Sequence, residues 1–241
     1  MAKGFKEPGE KPRRFYKTVE VRACDDGFEV TLDGRVLRSP RGGKLMAPTR
    51  AIAEMCAEEW AGQGEHIEMA AMHVTRLAFT AVEAIPPARE AVADQIAQYA
   101  GSDLLCYFAD SPAALVERHE NHWGPMLDRA REEIGLVFLR TSGIQHQEQP
   151  AETLARVKSL ALELNDFELA GLAFGAPLLG STVLAFALQR SWISGDQAME
   201  LSRLDETFQE EQWGVDEEAA ERAANLKLEA RMLERWFKAL K

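Results

Sequence analysis

Phe15–Pro40, FYKTVEVRACDDGFEVTLDGRVLRSP, decides the fold class, because it is the one stretch of this chain with a clear two-residue period. Tyr16, Thr18, Glu20 and Arg22 alternate with Phe15, Lys17, Val19 and Val21. Phe28, Val30 and Leu32 alternate again, and Val36 and Leu37 begin a third run. Asp25-Asp26-Gly27 and Asp33-Gly34 separate the runs, and Asp-Gly between alternating segments is a hairpin signal. The spacing therefore predicts a three-stranded meander that ends at Arg41-Gly42-Gly43. A sheet this small cannot bury both faces, so another element must cover it.

The cover lies just downstream. Pro48-Thr49 opens a helix that places Ile52, Met55, Cys56, Glu59 and Trp60 on one side, with Gly62 and Gly64 as its stop. A second helix runs from Met72 to Ile85, and Pro86-Pro87 marks a domain boundary. Upstream, residues 1–13 are basic but lack an apolar core and hold two prolines. They read as a short disordered arm rather than a secretory signal or a transit peptide. The expected plan is α+β: an arm over 1–13, a small β-meander/α domain over 14–85, and a larger all-α orthogonal bundle over 86–241.

Helical patterns fill that second part. Arg89–Tyr99 carries Val92, Ile96 and Tyr99, whereas Leu104–Phe108 fits a short strand or a helical turn equally well. Ser111-Pro112 reads as an N-cap with Pro at N1, opening a helix from Leu115 to Glu133 with a kink at Gly124-Pro125. Pro150 starts another, with Leu154, Val157, Ala161 and Leu164 inward. Gly175–Leu188 is the longest apolar run, shorter than the roughly 20 residues of a membrane span. Its glycines and Pro177 predict a buried loop leading into a core helix at Ser181. In the last helix Ala223, Leu226, Ala230, Leu233, Phe237 and Leu240 recur by three and four, predicting docking along the whole length.

Between these lies Leu201–Glu218, LSRLDETFQEEQWGVDEE, the densest acidic run. Ser194 with Gln197 forms a capping box, and Gly214 is a C′ stop, so one helix is expected from Ser194 to Trp213. Ala198, Leu201, Leu204 and Phe208 should face a core, leaving Asp205, Glu206, Gln209, Glu210 and Trp213 outward. Like charges four apart repel slightly, so the pattern does not serve helix stability. Trp beside charge suits a contact surface. On this placement the charges at Asp205 and Glu206 matter for binding and not for folding. Asp216, Glu217 and Glu218, by contrast, complement the dipole of the last helix.

This acidic segment is similar to the closing motif of the F1-ATPase assembly chaperones whose members bind the ATP synthase α subunit. RFYKTVEV, LDGRVLRSP, APTRAIAEMCAEEW, MHVTRLAFTAVE, GSDLLCYFADSP and HWGPMLDRA resemble other landmarks of that family, in its order, from Arg14 to the C-terminal helix. The resemblance implies an ATP-independent chaperone that holds new α subunit, masking the surface that β later occupies. It also implies that an acidic position in the LDE segment is important, which falls here on Asp205 with Glu206 beside it.

Composition sets the remaining limits. A chain of 241 residues with 46% hydrophobic and 28% charged residues is ordinary for a globular protein. A net charge of −11 disfavours nucleic acid or an anionic membrane as partner. Cys24, Cys56 and Cys106 form no CxxC pair and suit a reducing compartment. With no presequence pattern, a bacterial cytoplasmic setting is expected. There is no GxxxxGK[ST] or GxGxxG loop, so no nucleotide is expected, and no cofactor. His119 and His122, three apart on a helix, lack further metal ligands and read as polar surface residues. Asp205 and Glu206 point about 100° apart, so they do not converge as a hydrolytic pair. No catalytic residue is expected. A small-molecule hydrolase or an adaptor for an unrelated protein are the alternative readings. Trp60 and Trp123 are expected to be core or interdomain residues, and Gly171, Gly175 and Gly180 to permit close packing and turns.

Overall fold

Two tight hairpins open the sheet in the computed structural model, which describes residues 11–143 and 145–241. β1 (Val19–Cys24) pairs antiparallel with β2 (Gly27–Leu32), and β2 with β3 (Arg35–Val36). Asp33 and Gly34 both have positive φ, as a two-residue turn matched to strand twist requires. A fourth short strand, β4 (Met46–Ala47), also pairs with β2, so the sheet has four strands rather than three. Gly27 makes this possible, since a Cβ there would stand 2.5 Å from the Ala47 carbonyl oxygen.

α1 (Arg50–Ala61), capped by the Thr49 hydroxyl, packs on β1 and β2 and buries Ile52, Met55, Cys56 and Trp60. α2 (His73–Glu83) packs on α1, and the Glu59 carboxylate accepts the Val74 and Thr75 amides at its start, 2.9 and 2.8 Å away. Trp60 is a core residue, with Tyr16 edge-on and its hydroxyl donating to the Trp60 carbonyl at 2.7 Å. The arm expected over 1–13 lies mostly outside the described residues, but its end is not loose. The Pro12 carbonyl accepts the Ile67 amide at 2.8 Å, Lys11 pairs with Glu68 at 2.6 Å, and Arg13 bridges to His66.

The chain divides into two units, meeting in sequence at Glu83 and Ala84. The second is helical apart from one two-stranded pair. α3 (Arg89–Ala100) leads to a 3₁₀ turn at Leu104–Cys106 and then to β5 (Tyr107–Phe108), so both open readings of that stretch hold in succession. β5 runs parallel to β6 (Thr141–Ser142), across α4 (Ala113–Ile134). In α4 Pro112 is the N-cap itself, one position earlier than the N1 role expected, and Pro125 lies inside. α5 (Ala151–Glu163) packs on α3, burying Val157, Leu160 and Ala161, while Leu154 and Leu164 stay half-buried.

α6 (Asp166–Leu179) and α7 (Thr182–Gln189) are the centre of this unit. The region expected to be a loop around Gly175 and Pro177 is the last part of α6, and the chain turns only at Gly180, in the left-handed conformation. Every residue of α7 from Thr182 to Leu188 is buried, as suits a helix apolar on all sides. α8 (Gly195–Ser202) and α9 (Leu204–Trp213) follow, then α10 (Glu217–Ala239). Among the described residues no helix is long and apolar enough to cross a membrane.

Gly171 and Gly175, one turn apart on α6, let α10 approach. A Cβ on Gly171 would lie 2.8 Å from the Phe237 ring, and one on Gly175 2.8 Å from a Leu233 methyl. Trp236 stacks on Phe167 and donates its indole N–H to the Phe167 carbonyl at 3.0 Å. Gly171→Ala drives a methyl against the Phe237 and Trp236 rings and is expected to cost about 1–3 kcal/mol, read as a lowered midpoint in urea unfolding. An unchanged midpoint would show that the contact has slack. Docking covers only the second half of α10. Ala230, Leu233, Trp236 and Phe237 are buried, but Ala223 and Leu226 are half-buried and Leu228 is 59% exposed. The apolar stripe is thus longer than the bundle it meets.

Candidate partner-binding site

The single helix expected from Ser194 to Trp213 is two. The Ser194–Gln197 capping box is present on α8, but the chain breaks at Arg203 (φ −111°, ψ 26°) before α9 begins. A tertiary bond accompanies the break: the indole N–H of fully buried Trp123 on α4 donates to the Leu201 carbonyl at 2.9 Å. Leu201 itself is half-buried, whereas Leu204 and Phe208 are buried and hold α9 to α4.

The candidate residues of α9 do not form one outward face. Glu206 and Gln209 are exposed, and Trp213 is 80% exposed. Glu210 turns in to Arg203 at 2.7 Å, both half-buried. Asp205 turns in as well, and its Oδ1 lies 2.7 Å from Nε2 of His119, a residue only 1% exposed. This corrects two expectations at once: His119 is not a surface histidine, and Asp205 is not purely a solvent-facing charge.

The protonation of that pair follows from its other bond. The Ala109 backbone N–H donates to Nδ1 of His119 at 2.9 Å, so Nδ1 presents its lone pair. The ring proton therefore sits on Nε2 and is donated to Asp205. His119 stacks on Trp123 with ring centres 3.8 Å apart, and Phe108 meets both rings edge-on. Arg140 covers Phe108 at 4.9 Å and reaches Glu120 at 3.3 Å. A buried aromatic column thus carries the Asp205 carboxylate at its end.

Two cavities flank α9. One, about 410 Å³, is lined by Tyr107, Phe108, Ala109, Leu115, His119, Gly143, Asp205 and Gln209. The other, about 590 Å³, has Met126, Ile193, Leu201 and Leu204 among its walls and Arg118, His122 and Glu211 among its polar residues. Arg118 grips Glu211 through both guanidinium nitrogens and lies over the Phe208 ring at 5.0 Å. Hydrogen bonding to Arg118 holds the Glu211 carboxyl below its ordinary range. This tie between α9 and α4 is therefore present above the ordinary carboxyl pKa and lost as pH falls through the depressed value.

His119, Arg118 and Tyr107 were not candidates from sequence. The four-residue spacing of His119 and Trp123 on one helix was the available signal, and pairing His119 with His122 obscured it. Among the described residues no three His, Cys, Asp or Glu side chains group so as to hold a metal ion. The acids concentrate in this unit: residues 84–241 hold 26 Asp and Glu against 15 Lys and Arg, the whole of the net charge of −11. Residues 205–221 contain eight acids and no Lys or Arg.

Comparison with known proteins agrees with this architecture. Residues 13–131 match the model of the ATP12 chaperone protein family. The crystal structure of Atp12 from Paracoccus denitrificans superimposes with a TM-score of 0.88 at 37% identity, covering 95% of this chain and 99% of that one. An aspartate-to-lysine mutant of the same Atp12p gives a TM-score of 0.88 at 37% identity, over 95% and 98% of the two chains. The mitochondrial protein atp12 of Schizosaccharomyces pombe is 23% identical over 221 residues, 87% of this chain and 76% of its own length. Sequence, fold and solved relatives coincide over nearly the whole length, and the chain belongs to the ATP12 chaperone family, the F1-ATPase assembly chaperones that its motifs resemble.

Proposed function

We propose that this protein holds the free α subunit of the F1 ATP synthase, without ATP, and shields the surface that β later occupies. The observation that carries this reading is α9 itself. An indole 80% exposed stands in a run of eight acids without a basic residue, on a protein of an assembly-chaperone family. Exposed aromatic and charge together suit recognition of another protein better than solubility alone. Asp205, Glu206, Gln209, Glu210 and Trp213 are the proposed contact residues, with Glu210 contributing from its pairing with Arg203. The role is binding, and no catalytic step is assigned to any residue. An exposed interface is a liability until its partner arrives, and substituting one partner for another removes it. The 37% identity to a bacterial relative, against 23% to a mitochondrial one, supports a bacterial cytoplasmic setting.

The test is retention of purified subunits. Immobilised protein is expected to retain isolated α and not isolated β, equally with and without ATP. Retention of β alone, or retention that requires ATP, would overturn the reading.

A further inference from the structure

We infer that the cavity of about 410 Å³ beside α9 receives a lysine or arginine side chain of the protein partner, its cationic head resting on the Asp205 carboxylate. This rests on the reading of the protein as a protein-binding chaperone and adds which chemical group the site takes. The acids of α9 differ in what already satisfies them. Glu210 and Glu211 face internal cations, Arg203 and Arg118. Asp205 faces His119, whose Nδ1 accepts the Ala109 amide, so the imidazole is a neutral donor and leaves the carboxylate charge uncompensated. A carboxylate offers about four lone-pair sites, and His119 fills one.

The Asp205 side chain is 39% exposed, so the remaining sites are reachable. Among the described residues no Lys or Arg lines the cavity to occupy them. The walls suit the rest of such a side chain. Half-buried Tyr107 offers aromatic surface, which attracts a cation, and Leu115 offers apolar surface to an aliphatic stem. Gln209, one turn along from Asp205, adds an amide oxygen as a second acceptor. An anionic ligand would meet like charge at Asp205, and a neutral one would leave that carboxylate charge uncompensated. The His119 bond, fixed in turn by Ala109, holds the carboxylate in place before any partner arrives.

The decisive variant is Asp205→Asn, which keeps an oxygen for His119 and removes the charge. Its thermal midpoint, measured first, is expected near that of the parent. In titrations followed by amide NMR, Nα-acetyl-arginine amide and Nα-acetyl-lysine amide are expected to shift Ala109, Gly143 and Gln209 in the parent. They should not do so in Asp205→Asn, and Nα-acetyl-glutamine amide should shift neither protein. For isolated F1 α subunit, Asp205→Asn is expected to weaken binding by roughly tenfold or more, while Glu132→Gln, an equal loss of charge elsewhere, leaves it unchanged. Absence of shifts with both cationic probes, or shifts that survive Asp205→Asn, overturns the proposal. So does equal binding of α by parent and Asp205→Asn. Failure of the parent to bind α refutes the proposed client instead, and the NMR titrations then decide the cavity by themselves.

Discussion

A chain carrying Leu233→Ala together with Phe237→Ala is expected to lose the fold of its helical unit. Leu233 is 0% exposed and Phe237 2%, and both fill the space left by the two glycines of α6. Truncating a buried Leu to Ala costs about 2–5 kcal/mol, and Phe to Ala about 3–5. The side chains are neighbours on one helix, so the sum is not strictly additive. Even so it rivals the roughly 5–15 kcal/mol that holds a typical domain together. Circular dichroism and thermal melting decide the matter. The control lies in the same helix: Leu228→Ala, at an exposed position, is expected to change stability by no more than about 0.5 kcal/mol. A double mutant that melts like the parent would mean that α10 is not docked in solution.

Asp205→Lys is expected to do two kinds of damage, where sequence alone foresees one. Lysine has no acceptor, so the Nε2–H of buried His119 loses its partner. An unsatisfied buried donor costs about 1–3 kcal/mol. For a unit of this size that is a fall of several degrees in melting temperature, at about 2–4 °C per kcal/mol. Retention of isolated F1 α subunit should also vanish, because a cation now stands where the site offers an anion. Asp205→Asn should separate the effects, keeping the stability and losing the binding. If Asp205→Lys melts with the parent, the His119 bond contributes nothing and the purely solvent-facing placement is right after all.

Features set within a few residues were the legible ones. The turn at Asp33-Gly34, the helix opening at Thr49 and the Ser194–Gln197 capping box each depend on their own dihedrals and neighbours. Close packing at Gly171 and Gly175 was readable because only glycine leaves room for it. Features set by distant partners were not. The break at Arg203 accompanies an indole bond to Leu201 from 78 residues away in sequence, and the inward turn of Asp205 a histidine 86 residues away. β5 and β6 are two residues each, too short to carry a period, and they pair in parallel across a whole helix. The apolar stripe of α10 gave the direction of docking but not its extent, since periodicity does not say where the neighbouring surface stops.

That partial docking has a thermodynamic consequence. An isolated helix shorter than about 12–15 residues is marginal in water because its first turn is costly to form. Residues 217–229 do not face that cost, since the docked turns beyond them act as a ready nucleus from which helix merely propagates. Asp216 caps the far end, and Glu217 and Glu218 complement the dipole there. Tertiary contact along this half is limited, with Ala223, Leu226, Lys227 and Glu229 half-buried and Lys227 paired with Asp196 at 3.6 Å, so fraying from its tip is opposed only weakly. Any partner that settles on this half must first suppress the fraying, and the conformational entropy surrendered is subtracted from its affinity. On the proposed reading, in which the client passes on to a stronger complex, an ordering cost built into the contact would favour release.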